Sequence, residues 1–147
     1  MITDNLKYLF LRDIDEAIKI VQRTPQDKMW ATTAGIKNSV GVLAQHIAGN
    51  LQHYIGRGLG EMEYVRDRER EFANTGRPAE ELINDLKATK TAVQVGLEDL
   101  AYEDLHEEFT MPISYDLNTE GFLLHLYGHL QYHIGQMNYL QRILSAQ

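Results

Sequence analysis

Leu6, Leu9, Phe10, Ile14, Ala17, Ile18 and Val21 recur at three- and four-residue steps, the period of one buried helical face. The pattern predicts a first helix, capped by Thr3 and running to about Thr24, where Pro25 ends it. Val40, Leu43, Ile47, Leu51 and Tyr54 repeat the period. They predict a second helix from Val40 to about Arg57, capped by Asn38 or Ser39 and stopped by Gly56, Gly58 and Gly60. Leu82, Leu86, Thr89, Val93, Leu97 and Leu100 mark a third, with Pro78 in its first turn and Glu80 and Glu81 near its positive end. The fourth and longest takes Thr119 as its cap and runs to about Leu144.

Residues 25–38 read as a loop that Trp30 anchors to the core, and residues 58–77 as a long connection with a short helix over Tyr64–Phe72. Residues 101–118 read as irregular, extended from Phe109 to Tyr115. Four apolar stripes and little strand predict an all-α fold, a four-helix bundle forming one domain over residues 1–147. The connection after the second helix is long enough to cross the bundle, which lets the second and third helices run parallel.

Composition narrows the chemistry. A net charge of −7 and a pI near 5.3 argue against nucleic acid or an anionic membrane as the main partner. With no cysteine, a transition metal has only His and carboxylate to bind, and disulfides are excluded. A chain of 147 residues buries enough apolar surface to fold without a metal staple. Met1-Ile2-Thr3-Asp4 lacks the basic-then-apolar pattern of a secretion leader, and no apolar run spans a bilayer. The expected location is cytoplasmic.

Five of the six histidines fall on the second and fourth predicted helices. His129 and His133 are one turn apart. With His129 as zero on a helical wheel, His133 falls at about 40°, Phe122 and Leu140 at about 20°, and Leu126 and Leu144 at about 60°. Both imidazoles therefore point toward the core, where their nitrogens need partners. One metal ion serves both, and a third ligand from another helix completes a site of the catalytic type. His46, beside the stripe of Leu43 and Ile47, is the better candidate; His53 lies two turns on, where the glycines begin. His125 sits on the polar edge, about 40° outside His129. His106, among Asp104, Glu107 and Glu108, reads as solvated.

Two segments carry a family resemblance: Leu43-Ala44-Gln45-His46-Ile47, and Gly128-His129-Leu130-Gln131-Tyr132-His133-Ile134-Gly135-Gln136-Met137. The chain resembles the DinB/YfiT-like family of bacterial metal-binding bundles. Its second segment matches that family's motif of His, three residues, His, one residue, Gly, Gln and an apolar residue. The run Arg66 to Phe72 is similar to a basic-acidic element in one branch of the family. The resemblance implies an up-down-down-up bundle, one divalent metal on His46, His129 and His133, and a homodimer. Family members of known activity include transferases that join a low-molecular-weight thiol to an electrophile, and a thiol-dependent isomerase.

A three-histidine site with an open position is a Lewis acid, and zinc or nickel is the expected ion. In this cysteine-free chain any reacting thiol must arrive as a co-substrate. Asn50, His53, His125 and Gln136 are the candidates for holding a small-molecule substrate or supporting the ligands. No carboxylate lies on the ligand arcs, which leaves no general base to name. Arg66, Arg68 and Arg70 read as a solvated, self-paired face over the site mouth. A metal-dependent thiol S-transferase or a hydrolase is the expected function, with a non-catalytic metal-binding or metal-sensing bundle as the alternative. Tyr127, Tyr132, Ile134, Tyr139 and Ile143 flank the core stripe of the last helix and are the expected dimer surface.

Overall fold

The computed structural model describes residues 1–147 and is all-α, with five α-helices and no strand. α1 spans Ile2–Arg23 and α2 spans Val40–Leu51, continued by a π-helical turn, Gln52–Arg57. α3 is short, Arg68–Ala73; α4 spans Ala79–Glu98 and α5 spans Thr119–Ser145. A 3₁₀ turn, Glu103–His106, lies between the last two.

Three caps differ from expectation, each for a local reason. Thr3 lies within α1 on the buried face that Leu6 and Phe10 continue, and the terminal ammonium of Met1 donates to Asp4 instead. Asn118, not Thr119, caps α5: its Oδ1 accepts from Gly121 N at 2.9 Å. The Thr119 hydroxyl instead donates to the carbonyls of Glu107 and Glu108, tying the preceding loop to the helix start. Pro78 precedes α4 in an extended conformation. Ser39 does cap α2, accepting from Val42 N at 3.1 Å. The expected extended stretch from Phe109 to Tyr115 is absent; one isolated bridge, Glu108 to Asn118, is all that forms there.

α1 and α2 each pack on both α4 and α5, whereas the backbones of α4 and α5 do not approach one another. Phe10, Ile14, Ile47, Leu51, Leu86, Val93, Phe122 and Leu126 fill the space between them, all essentially inaccessible. The π-helical turn lies against α4 at close range. A β-carbon at Gly56 would meet that of Ala92 at 2.9 Å, and one at Gly96 would meet Ile55 O at 2.5 Å. Trp30 anchors its loop: Nε1 donates to Arg77 O at 3.1 Å and the ring lies over Gly41.

Every residue of α2 is buried, although its apolar set reads as a single stripe. α3 and the strap before it fold back over the outer face of α2, so that face is roofed as well. On α5 two residues depart from the expected dimer surface. Ile134 is in the core at 8% exposure, and the Tyr127 hydroxyl donates to Asp13 of α1 and accepts from Arg12 and Gln131. Tyr132, Tyr139 and Ile143 are exposed. No helix is long and apolar enough to cross a membrane.

Candidate metal centre

His46 comes from the middle of α2; His129 and His133 come from successive turns of α5, where the helix period aims both rings at α2. The three present nitrogens within 4.8 Å of one another. His129 Nε2 lies 3.2 Å from His46 Nε2 and 3.1 Å from His133 Nε2.

The outer nitrogens decide what the inner ones offer. His46 Nδ1 is 3.0 Å from Glu71 Oε1, and an ionised carboxylate only accepts, so Nδ1 carries the hydrogen and Nε2 a lone pair. His133 Nδ1 donates to Gln136 Oε1 at 2.7 Å, which leaves its Nε2 in the same state. His129 Nε2 has either one hydrogen or one lone pair, so it satisfies at most one of these two neighbours. Protonation does not resolve the conflict. Burial, reinforced by the charges His133 and His46 would carry, pushes His129 down to about 3. Burial also lowers His133, against the opposing hydrogen bond to Gln136. Donors set about 2.0–2.1 Å from one ion lie about 3–3.4 Å apart, and the two short separations observed fall in that range. The donor set thus fits one divalent ion of the imidazole-preferring kind.

Glu71, on α3, went unseen in the sequence because it lies on neither histidine helix. Its carboxylate is 7% exposed, and Arg66 grips it through Nε at 2.8 Å and Nη2 at 3.0 Å. Burial alone would raise Glu71, but the hydrogen bonds from His46 and Arg66 and the charge of Arg66 outweigh it and hold the group below its ordinary value. Arg66 is accordingly no part of a solvated face: its side chain is 10% exposed. Arg70 is exposed as expected, and Arg68 is exposed with its guanidinium over the Phe72 ring. The one clue along the chain is Gly49, three residues after His46, a position without a side chain facing the carboxylate.

A cavity of about 360 Å³ opens beside His46 and His129. Asn50 and Tyr54 of the second helical segment, Arg66 and Arg68, Pro112 to Tyr115, and Phe122, His125 and Leu126 of α5 form its wall. His125 is held between Tyr115 and Phe122, with ring centroids 4.2 and 5.6 Å away. Gln136 braces His133 and does not reach this wall. His53 stands off, packed on Tyr54, with its Nδ1 buried and unpartnered. His106 is exposed against Tyr102.

The sequence model of the DinB superfamily matches residues 9–137, a span that holds the three histidines, Glu71 and the cavity wall. No curated protein and no solved structure matches the chain.

Proposed function

This chain belongs to the DinB superfamily, and on that footing we propose that it is a divalent-metal-dependent thiol S-transferase whose ligands are His46, His129 and His133. The convergence of three imidazole nitrogens on one point, beside an open cavity, carries the reading. A bound ion supplies positive charge that favours a thiolate over its thiol.

A bound ion acidifies water as it does a thiol, so either nucleophile is open to the site. The family resemblance, whose members of known activity use a thiol, favours the second, and the cavity wall has no carboxylate to act as a further base. Glu71 faces away from the cavity, engaged by His46 and Arg66. A thiol ionises near pH 8.5 unaided (an approximate model value) and needs no such base. Its proton is released to solvent, its sulfur bonds to the carbon of the electrophile, and the leaving group departs with the bonding pair. Glu71 and Gln136 fix the rings of His46 and His133 from behind, which keeps the inner nitrogens aimed at one point.

Within the same reading the native ion is zinc or nickel, the substrate is a small molecule, and the protein is a cytoplasmic homodimer. The four long helices run up-down-down-up. Arg12 beside Tyr127 and Arg23 beside Gln141 support α1 and α5 running together. Gln45 near Arg77 and Gln52 near Thr89 support the same for α2 and α4.

Elemental analysis of protein purified without an affinity tag, followed by a thiol-plus-aryl-halide assay with metal restored, tests the proposal. Metal near one equivalent and thiol consumption that depends on it are expected. Ester or amide hydrolysis with no thiol consumption would select the hydrolase, and bound metal with neither reaction would select the non-catalytic alternative.

A further inference from the structure

Two consecutive residues of α2 hold one residue of α3 at both ends. His46 Nδ1 meets the Glu71 carboxylate at 3.0 Å, and Gln45 Nε2 donates to the Glu71 main-chain oxygen at 2.9 Å. The same Nε2 donates to Asn74 O at 2.8 Å, and Gln45 Oε1 accepts from Arg77 Nη1 at 3.1 Å. Carbonyls only accept and a guanidinium only donates, so these partners admit one orientation of the amide and take up both of its N–H groups. Gln45 is buried, at 6% exposure.

Little else fixes the strap that carries Glu71. α3 has six residues, far below the length at which a helix holds itself in water, and Glu71 is its only buried residue. Phe72 rests half-buried against the His46 ring, with centroids 4.9 Å apart. On the outer side a cavity of about 390 Å³ lies against Gln45, Gly49, Glu71 and Asn74, so packing does not wedge the carboxylate from there. Arg66 grips the carboxylate, but it comes from the strap itself and cannot fix the strap to α2. Gln45 ties the main chain of the strap to the ligand helix. In the same contact it satisfies Glu71 O, a carbonyl left open where α3 ends.

We propose that Gln45 is a positioning residue of the histidine cluster. By holding the main chain of Glu71 it sets the carboxylate against His46 Nδ1, which keeps the hydrogen on Nδ1 and the Nε2 lone pair turned to the other two rings. The consequence for metal affinity rests on the metal reading above; the effect on the His46 ring does not.

Gln45→Met keeps nearly the length of the side chain and removes all three hydrogen bonds. Gln45→Glu keeps an acceptor for Arg77 and removes the donors to the strap. Competitive chelator titration with zinc should show both variants weakened on the order of tenfold, the lower end of the scale for groups behind a ligand. In a Glu71→Ala background Gln45→Met should cost no more than about twofold, because the residue it positions is gone. Val21→Ala, a truncation in the core on α1, should lower the urea midpoint and leave affinity at the wild-type value. Nitrogen NMR of the metal-free protein at pH 8 should find the His46 hydrogen on Nδ1 in wild type and divided between Nδ1 and Nε2 in Gln45→Met. Wild-type affinity in both Gln45 variants, or an equal loss with and without the Glu71 carboxylate, overturns the proposal, as does a His46 ring unchanged by Gln45→Met. If the wild type takes up no zinc while the ring responds to Gln45→Met as stated, the metal reading fails and the positioning role stands.

Discussion

Gly49 and Glu71 occupy one another's space: a β-carbon on Gly49 would sit inside the Glu71 carboxylate. The glycine thus clears the outer surface of α2 for a carboxylate that reaches His46 Nδ1 one turn away. Gly49→Ala is expected to dislodge Glu71 and weaken metal binding on the order of 10–100-fold, the usual scale for removing the partner behind a ligand. Glu71→Gln should fall short of that loss, because an amide oxygen still accepts from His46. Competitive chelator titration measures both, and wild-type affinity in Gly49→Ala would show that the contact has no part in holding the ring.

The ligand assignment is expected to separate the histidines cleanly. His46→Ala, His129→Ala and His133→Ala should each lose most bound metal, while His106→Ala, on an exposed 3₁₀ turn, should keep it. Metal analysis after dialysis checks this. Equal content in all four variants would remove the site.

The His129–His133 pair was legible because four residues on a helix is a spacing that needs no tertiary knowledge, and His46 because it borders a second apolar stripe. Glu71 was not legible. Its place depends on the strap after the π-helical turn folding back over α2, and within Arg66–Phe72 it looks like any residue of an alternating charge run. The burial of α2 on all sides was hidden for the same reason. Tyr127 and Ile134 were misread as free surface because a helical wheel carries no record of α1, whose Asp13 receives the Tyr127 hydroxyl. The displaced cap at Asn118 has a similar origin: Thr119 is taken by carbonyls eleven and twelve residues back.

Acid should loosen the metal-free protein. His129, held down to about 3, and His133, also lowered, stay neutral in the folded chain while the unfolded chain takes up protons from about pH 6.5 downward. The stability these groups contribute is complete above about pH 6.5 and is lost as pH falls toward 3. Glu71, also lowered, acts in the same direction at the acid end. Urea midpoints of apoprotein should drop between pH 7 and pH 4.5, and the drop should shrink in His129→Leu. A pH-independent midpoint would contradict the burial of these rings. Metal affinity should weaken over the same interval, since protons compete for the same nitrogens.

Tyr132 and Tyr139, 65% and 67% exposed, remain on the surface of α5 together with Ile143, near a groove lined by Leu43, Leu140 and Ile143. If a second copy covers it, sedimentation equilibrium at micromolar concentration should give twice the 16.9 kDa of the chain. Tyr139→Glu should then return the protein to monomer. A wild-type mass of one chain would refute the dimer.

α1 and α4 contribute no side chain to the histidine cluster or to the cavity beside it. α4 moreover never approaches α5, the helix with two of the three imidazoles. The bundle is therefore lopsided in what it risks when it changes. On the outer surface of α4, apart from Asp85, which pairs with the Arg77 that also reaches Gln45, substitutions that raise helix propensity or add ion pairs act on folding free energy without touching the site. An engineer seeking a hardier version has the exposed positions of α4, outside its buried face of Leu82, Leu86, Thr89, Ala92, Val93, Gly96 and Leu97, to rewrite. On α2 and α5, by contrast, tolerance to heat and competence at the site are tied to the same side chains.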